Sequence, residues 1–329
     1  MTLVHQMDGR PFTAAMARAA GLTRNRLGAL VTSGQVRPVL YGVYVAAVVP
    51  DSVDLRAQAA ALVLPSHAVV GDRSAAWLLG IDVLALEEHD LLPRLEVVSA
   101  GGKGPSVRDG ILGGKRDLAE SDVVTLAGGV RVTTPLRTAC DIGCLYGRYR
   151  ALATIDEFRR AYGLTLGDFE AILPRYRGRR GVIQLRELVP LSTDRADSQP
   201  ESWVRLMVHD EGLPMPAAQV DVVVSGWGRA RLENAYEHLR IAIEYDGERF
   251  HSLPEDRERD DVRRAALDAG GWIVLVVRRG DLAAERRAGW LGELGEAIAV
   301  RTPGRVGKRR YVRRPDGGGG GASYRWRGR

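Results

Sequence analysis

Two absences narrow the location of this 329-residue chain before any motif is considered. No apolar run reaches the ~18–20 residues that a membrane-spanning helix needs. The first residues, Met-Thr-Leu-Val-His-Gln, do not place an apolar stretch after a basic one, as a secretory signal would. We therefore expect a cytoplasmic protein that has no membrane partner.

Cysteine is also nearly missing. The two cysteines, Cys140 and Cys144, lie four positions apart in a predicted helix. In a reducing compartment such residues are typically small, buried apolar side chains, and two thiols alone make a poor metal site. We assign them no function.

Acidic residues are scarce at the end of the chain, where basic residues accumulate. Residues 301–329 hold ten Lys or Arg and one acid, so residues 1–300 carry 37 basic and 40 acidic side chains of the totals of 47 and 41. This basic, Gly-rich tail, which we place at residues 300–329, suits a polyanion-binding arm. The glycine run at residues 317–321 suits a disordered solubilising tail equally well.

Residues 1–50 predict a helix, a turn, a second helix and a hairpin. An Ala-rich amphipathic helix over residues 12–20 stops at Gly21, and Thr23 is a good N-cap for a second helix that runs to about Thr32. β-branched and aromatic residues flank a turn-like Tyr-Gly pair within residues 36–45. The order predicts a winged helix-turn-helix.

The same segment resembles a known family. Ala-Arg-Ala-Ala-Gly-Leu-Thr-Arg-Asn-Arg, followed by the Gly-Val-Tyr of the hairpin, is similar to the N-terminal domain of AbiEi-type antitoxins, which bind operator DNA. The resemblance implies that the start of the second helix meets base edges or phosphates and that the wing touches the DNA backbone. A role in protein contacts remains the alternative. The implied DNA-binding residues are Thr23, Arg24, Asn25, Arg26 and Arg37.

Residues 51–191 predict a mixed α/β middle domain without a catalytic constellation. Val-Thr-Thr-Pro-Leu-Arg-Thr-Ala-Cys-Asp and Gly-Arg-Arg-Gly-Val-Ile-Gln-Leu look like the segment that joins such winged domains to a C-terminal nuclease-like domain. Arg137 and Asp141, four apart on one helix face, predict a structural ion pair.

A Ser-, Asp- and Pro-rich linker within residues 192–200 opens the next domain, residues 192–299. Periodicity there predicts a helix, a three-strand meander, a helix, a strand and a closing helix. This is the order of the restriction-endonuclease-like core. The whole chain is thus predicted to be a multidomain protein of the α+β and α/β classes.

Two acids in the third strand of this meander point to a cation. Glu244 and Asp246 lie two apart, so strand alternation places them on the same face. Adjacent like charges repel, and a divalent cation such as Mg²⁺ relieves that repulsion. An amphipathic edge strand with an acidic solvent face is the alternative.

The segment from residue 198 onward resembles the very-short-patch-repair endonucleases of the PD-(D/E)XK superfamily. The resemblance is carried by Arg-Leu-Glu-Asn-Ala-Tyr at residues 231–236, Ile-Ala-Ile-Glu-Tyr-Asp-Gly at residues 241–247 and Gly-Gly-Trp-Ile-Val-Leu-Val-Val at residues 270–277. It implies that Glu233, Glu244 and Asp246 bind Mg²⁺ or Mn²⁺. It further implies that Glu201 is an added ligand or acceptor, that His251 is a general acid/base, and that Asp260 orients His251.

These patterns lead to one expected function and one alternative. The expected function is DNA-binding, metal-dependent endonuclease activity that hydrolyses phosphodiester bonds, with duplex DNA as partner. The alternative is a non-enzymatic repressor or antitoxin-like regulator with a degenerate nuclease domain and a toxin or defence-system partner. Two departures from the family pattern favour the alternative: Glu233 replaces the usual Asp, and no Lys stands in the motif.

Overall fold

The structure is a computed structural model that describes residues 9–65, 67–83, 93–99, 111–247 and 254–302. Within these residues the chain forms a mixed α/β protein with three separate sheets. This agrees with the predicted fold class at the coarse level. Within the described residues, no helix is both long and apolar enough to cross a membrane.

The N-terminal unit pairs two short helices with a small sheet. Helices α1 and α2 are followed by a hairpin, and the strand order is β1-β3-β2 with antiparallel pairing. The first helix of the structure is shorter than predicted, because the buried Phe12 lies in a short strand and pairs with Tyr44. The elements are β1 (Phe12–Thr13), α1 (Ala14–Ala19), α2 (Arg24–Thr32), β2 (Val36–Leu40) and β3 (Val43–Ala46).

Local sequence explains the two helix starts. The hydroxyl oxygen of Thr13 accepts from the backbone N–H of Met16, and that of Thr23 accepts from the backbone N–H of Arg26 at 3.3 Å. Each cap satisfies a donor that the first turn leaves unpaired. Gly21, at φ +87°, makes the turn between the helices.

The hairpin has apolar side chains on two sides. Val36 packs with Phe12, Leu27 and Leu30 in the core of the N-terminal unit. Four other hairpin residues belong to the large core of the middle region, and they are Val39, Leu40, Val43 and Val45. The hairpin is therefore held between the two units.

The middle region is built on a five-stranded mixed sheet with strand order β6-β5-β4-β8-β7. Strands β4 and β8 are parallel, as are β5 and β6, while the other two pairings are antiparallel. Its elements are α3 (Val53–Ala61), β4 (Ala68–Val70), α4 (Asp72–Leu78), β5 (Leu95–Ser99), β6 (Ile111–Lys115), β7 (Val123–Thr125), β8 (Arg131–Thr133), α5 (Pro135–Leu145), α6 (Arg148–Tyr162), α7 (Leu166–Ile172) and α8 (Val182–Leu188).

The predicted Arg137–Asp141 ion pair is confirmed. Arg137 Nε donates to Asp141 Oδ2 at 2.9 Å, and both side chains are buried. Arg137 also pairs with Asp122 at 3.1 Å, and Asp122 in turn accepts from Arg175 at 2.6 Å. This network ties α5 to the segment before β7 and to the turn that follows α7, which is a structural role.

The C-terminal unit follows the predicted order of elements. A four-stranded sheet has the order β12-β11-β10-β9, with only the β11–β12 pair parallel. Identification of this order as a restriction-endonuclease-like fold stays a prediction. The elements are α9 (Gln199–Asp210), β9 (Ala217–Val224), β10 (Gly228–Tyr236), β11 (Ile241–Asp246), α10 (Pro254–Ala269), β12 (Ile273–Arg278) and α11 (Ala284–Arg301).

Helix α9 joins the C-terminal unit to the middle region. Asp156 on α6 is buried and accepts from Ser202 Oγ at 2.7 Å and from Arg205 Nη1 at 3.2 Å. Leu206 packs into the core of the middle region, whereas Met207 packs into the core of the C-terminal unit. One helix thus contributes to both cores.

Candidate nucleic-acid interface and acidic cluster

The first candidate site is the exposed start of α2. Arg24, Asn25 and Arg26 are all exposed, and no acidic residue stands in the first turn of the helix. The amino-terminal end of a helix carries a partial positive charge from its unpaired N–H groups. Two guanidinium groups add to this charge, so the surface suits a phosphate backbone.

The other two predicted DNA-binding residues also have roles within the protein. Thr23 is exposed but its hydroxyl caps α2, as described above. Arg37 is half-buried, and its Nη2 donates to the backbone carbonyl oxygen of Val49 at 2.9 Å. Arg37 thereby connects β2, the first hairpin strand, to the chain that leaves the N-terminal unit.

A cleft of about 900 Å³ opens beside the same helix, between α1, α2 and the hairpin. Leu27, Val31 and Leu40 contribute apolar surface to it, and Arg18 and Arg24 line it as well. Sequence reasoning did not single out Arg18. Its position on α1, one turn before Gly21, was the available signal, because the helix-turn-helix brings that turn beside the start of α2.

The second candidate site is the acidic cluster, by which we mean Glu201, Glu233 and Glu244. Glu233 lies on β10 and Glu244 on β11, which are antiparallel neighbours. Asn234 pairs with Ile243, so the next pair of positions in the same register places Glu233 opposite Glu244. The charges of Glu201 and Glu244 both act on Glu233. The structure therefore brings together three of the predicted site carboxylates.

The protein itself supplies donors to each of these carboxylates. The most buried is Glu201, which accepts from Ser198 Oγ at 2.8 Å and from Gln219 Nε2 at 2.7 Å. Glu233 Oε2 accepts from the backbone N–H of Tyr245 at 2.6 Å. Glu244 accepts from Arg263, through Nη2 to Oε1 at 2.5 Å and through Nη1 to Oε2 at 2.9 Å.

The partly buried position of Glu233 changes its acidity. Burial raises the pKa of the Glu233 carboxyl group to about 7, and the charges of Glu201 and Glu244 act in the same direction. The backbone N–H of Tyr245 and the charge of Arg263 oppose this shift. Near neutral pH, the Glu233 carboxyl group is therefore only partly ionised.

The remaining predicted site residues lie apart from this cluster or cannot be placed. Asp246 shares a strand face with Glu244, as predicted, and its Oδ2 lies 3.9 Å from Arg278 Nε. Asp260 is an exposed residue of α10 whose charge acts on Arg263. His251 lies outside the described residues.

The cluster does not fit a bound Mg²⁺ or Mn²⁺ ion in this arrangement. Both carboxylate oxygens of Glu244 face the guanidinium of Arg263, and Glu201 already accepts three hydrogen bonds from the protein. Across the described ranges, no three His, Cys, Asp or Glu side chains are placed to hold a metal ion. The metal and catalytic roles implied by the resemblance stay predictions.

One signal for these contacts was present in the sequence. Ser-Gln-Pro-Glu at residues 198–201 has the Ser-x-x-Glu spacing of a capping box, and Ser198 indeed caps α9 while Glu201 bonds back to it. Arg263 has no comparable local signal. It meets Glu244 only because α10 crosses the sheet.

Comparison with known proteins finds a family match in the middle region. Residues 67–191 match the AbiEi antitoxin C-terminal domain. This match falls in the region expected only to join two domains, and the antitoxin likeness of residues 1–50 stays a prediction.

Two relatives then define the family. Uncharacterized protein MT2308 of Mycobacterium tuberculosis (strain CDC 1551 / Oshkosh) and Uncharacterized protein Rv2248 of Mycobacterium tuberculosis (strain ATCC 25618 / H37Rv) are each 33% identical to this chain over 259 residues. The alignment covers 78% of this chain and 90% of each relative. The chain belongs to the family of these two mycobacterial proteins.

Proposed function

We propose that this protein is a DNA-binding regulator of the antitoxin type. In this proposal the N-terminal unit is a winged helix-turn-helix that reads duplex DNA, and the middle region serves a toxin-like partner. The observation that carries the proposal is the exposed, basic start of α2, where Arg24, Asn25 and Arg26 stand together. The antitoxin domain at residues 67–191 supports the regulatory role.

The packing of the hairpin supports DNA binding, because it holds the wing in a fixed position relative to α2. One side of the hairpin packs on α2 and the other belongs to the core of the middle region. A wing held in this way keeps its distance from the recognition helix constant, which preorganises the surface for a rigid duplex. Arg37 contributes to this frame through its bond to the Val49 carbonyl oxygen.

The test measures duplex binding by variants of α2. A labelled duplex from the region upstream of the gene is titrated with wild-type protein and with the double variant Arg24→Ala, Arg26→Ala. We expect the double variant to lose at least about tenfold in affinity, since phosphate contacts contribute strongly to binding at moderate salt. Arg186→Ala, which removes an exposed arginine on α8, is the matched control and should bind like wild type. Equal binding by the double variant would reject the proposed interface.

Metal-dependent endonuclease activity of the C-terminal unit is the second candidate function. The observations that favour it are the predicted order of elements and the adjacency of Glu233 and Glu244 on neighbouring strands. In that case supercoiled plasmid is nicked only when Mg²⁺ or Mn²⁺ is added, and Glu233→Gln abolishes nicking. The pairing of Glu244 with Arg263 favours the regulator, because a metal ion would have to displace the guanidinium.

A further inference from the structure

Arg263 and Glu244 form a two-point ion pair on the face of the C-terminal sheet that α10 covers. The two N–O distances are 2.5 and 2.9 Å, and the side chains are only 20% and 12% exposed. Arg263 Nη2 also donates to the backbone carbonyl oxygen of Arg231 at 3.1 Å. Such a fork is among the strongest arrangements that an arginine makes with a carboxylate.

The ion pair lies where two acidic side chains of the sheet would otherwise repel each other. Glu244 and Glu233 stand opposite each other on adjacent strands, where two ionised carboxylates repel. Arg263 acts on both, because it bonds Glu244 directly and its charge stabilises the ionised form of Glu233. The positive charge that the sequence pattern demands is thus present, and it comes from the protein.

We propose that Arg263 is the resident cation of the acidic cluster and that it keeps divalent metal ions out. The proposal has a second part: removal of the guanidinium exposes a latent site in which Glu233 and Glu244 bind Mn²⁺. A hard divalent ion of this kind is usually held by one or two protein carboxylates and keeps several water ligands. The inference goes beyond the proposed regulatory function and does not depend on DNA binding.

The geometry explains why one residue is enough for this exclusion. Each oxygen of Glu244 accepts from one of the two terminal nitrogens of a single planar group, so the carboxylate faces a full positive charge at 2.5 and 2.9 Å, where a metal ion would otherwise bind. A bound guanidinium would also repel an incoming cation at short range. Glu201 offers no substitute, because Ser198, Gln219 and the backbone N–H of Asp197 already donate to it.

The test is a calorimetric titration of the full chain with MnCl₂ as the only ligand, at a pH above the pKa of Glu233. Wild type should show no specific site. Arg263→Gln should bind one Mn²⁺ per chain, with an affinity at least about tenfold above the nonspecific Mn²⁺ binding of the wild-type protein. Arg264→Gln removes the neighbouring arginine of the same helix and should behave like wild type. The double variant Arg263→Gln, Glu244→Gln should lose the new site.

Two results would overturn the proposal. One is a specific Mn²⁺ site in wild type that Glu244→Gln removes, and the other is a folded Arg263→Gln protein that binds no Mn²⁺. If Arg263→Gln does not fold, the circular dichroism spectrum of the double variant Arg263→Gln, Glu244→Gln tests the counter-ion role of Arg263. Recovery of the folded spectrum supports a counter-ion role, because the uncompensated carboxylate has gone, and an equal loss of structure contradicts it.

Discussion

Arg205 on α9 donates to Asp156 on α6 across 3.2 Å, and the pair lies at the centre of the contact between the C-terminal unit and the middle region. Asp156 also accepts from Ser202 Oγ and from the backbone N–H of Thr193, both at 2.7 Å. The two units therefore meet through a buried charge with three donors. The middle region and the C-terminal unit, which both pack against α9, should therefore unfold together.

The first prediction concerns this buried pair. Asp156→Ala leaves Arg205 buried without its partner, and breaking a buried pair costs about 3–5 kcal/mol. Urea denaturation followed by circular dichroism measures the loss. Asp197→Ala removes the partner of Arg160 in an exposed pair near the same contact and should cost no more than about 1 kcal/mol. Equal losses in the two variants would show that burial of the pair is not what holds the units together.

The second prediction concerns the pH dependence of stability. The pKa of Glu233 is raised from 4.5 to about 7, so its contribution to stability is complete below 4.5 and is lost as the pH rises through 7. Glu233→Gln keeps an oxygen for the Tyr245 N–H and cannot ionise. It should match wild type near pH 4.5 and exceed its free energy of unfolding by up to about 3 kcal/mol at pH 8.

Chemical denaturation at both pH values checks the Glu233 prediction. Glu237→Gln is the control, because Glu237 is exposed in the turn that follows β10. That variant should keep the wild-type pH dependence. A Glu233→Gln protein that is destabilised equally at both pH values would contradict a buried, proton-exchanging carboxyl group.

The third prediction concerns a glycine in the middle region, within the segment that matches the AbiEi antitoxin C-terminal domain. Gly181 precedes α8 at φ +80°, and a Cβ there would collide with the backbone carbonyl oxygen of Cys144. Gly178 has a similar φ of +76°, but an added Cβ would meet no atom within 4 Å. Gly178→Ala should therefore cost only the conformational term of about 1–2 kcal/mol. Gly181→Ala should cost clearly more in thermal or urea unfolding, and equal costs would argue against close packing of α5 on α8.

The fourth prediction separates two roles of Thr23. Its hydroxyl caps α2, so Thr23→Ala should lower stability by about 1 kcal/mol, whereas Thr23→Ser should retain the cap and most of that stability. DNA affinity should follow the same order, because a frayed first turn displaces Arg24 and Arg26. Thermal unfolding and duplex titration of both variants measure the two effects. A Thr23→Ala protein with wild-type stability would contradict the capping role.

Sequence patterns predicted the features that depend on neighbours along the chain. The cap at Thr23, the shared face of Glu244 and Asp246, and the Arg137–Asp141 pair all follow from helix or strand periodicity. The order of elements in the C-terminal unit follows for the same reason. Each of these features is decided within a few residues of the chain.

Contacts between distant segments were missed. Arg263 reaches Glu244 from another element, and Arg205 reaches Asp156 from across a unit boundary, so no local spacing indicates either pair. The strand at Phe12 was missed because pairing with Tyr44 overrides its place in an Ala-rich helical pattern. The spacing of Ser198 and Glu201 also indicates a helix cap, and the interpretation of Glu201 as an added ligand or acceptor stays a prediction.

The salt dependence of duplex affinity tests the central claim most directly. Each arginine that neutralises a phosphate adds about one unit to the slope of log affinity against log salt concentration. The account predicts a slope that is shallower by about two units for Arg24→Ala, Arg26→Ala than for wild type. A double variant with the slope and affinity of the wild-type protein would contradict the claim that the start of α2 holds DNA.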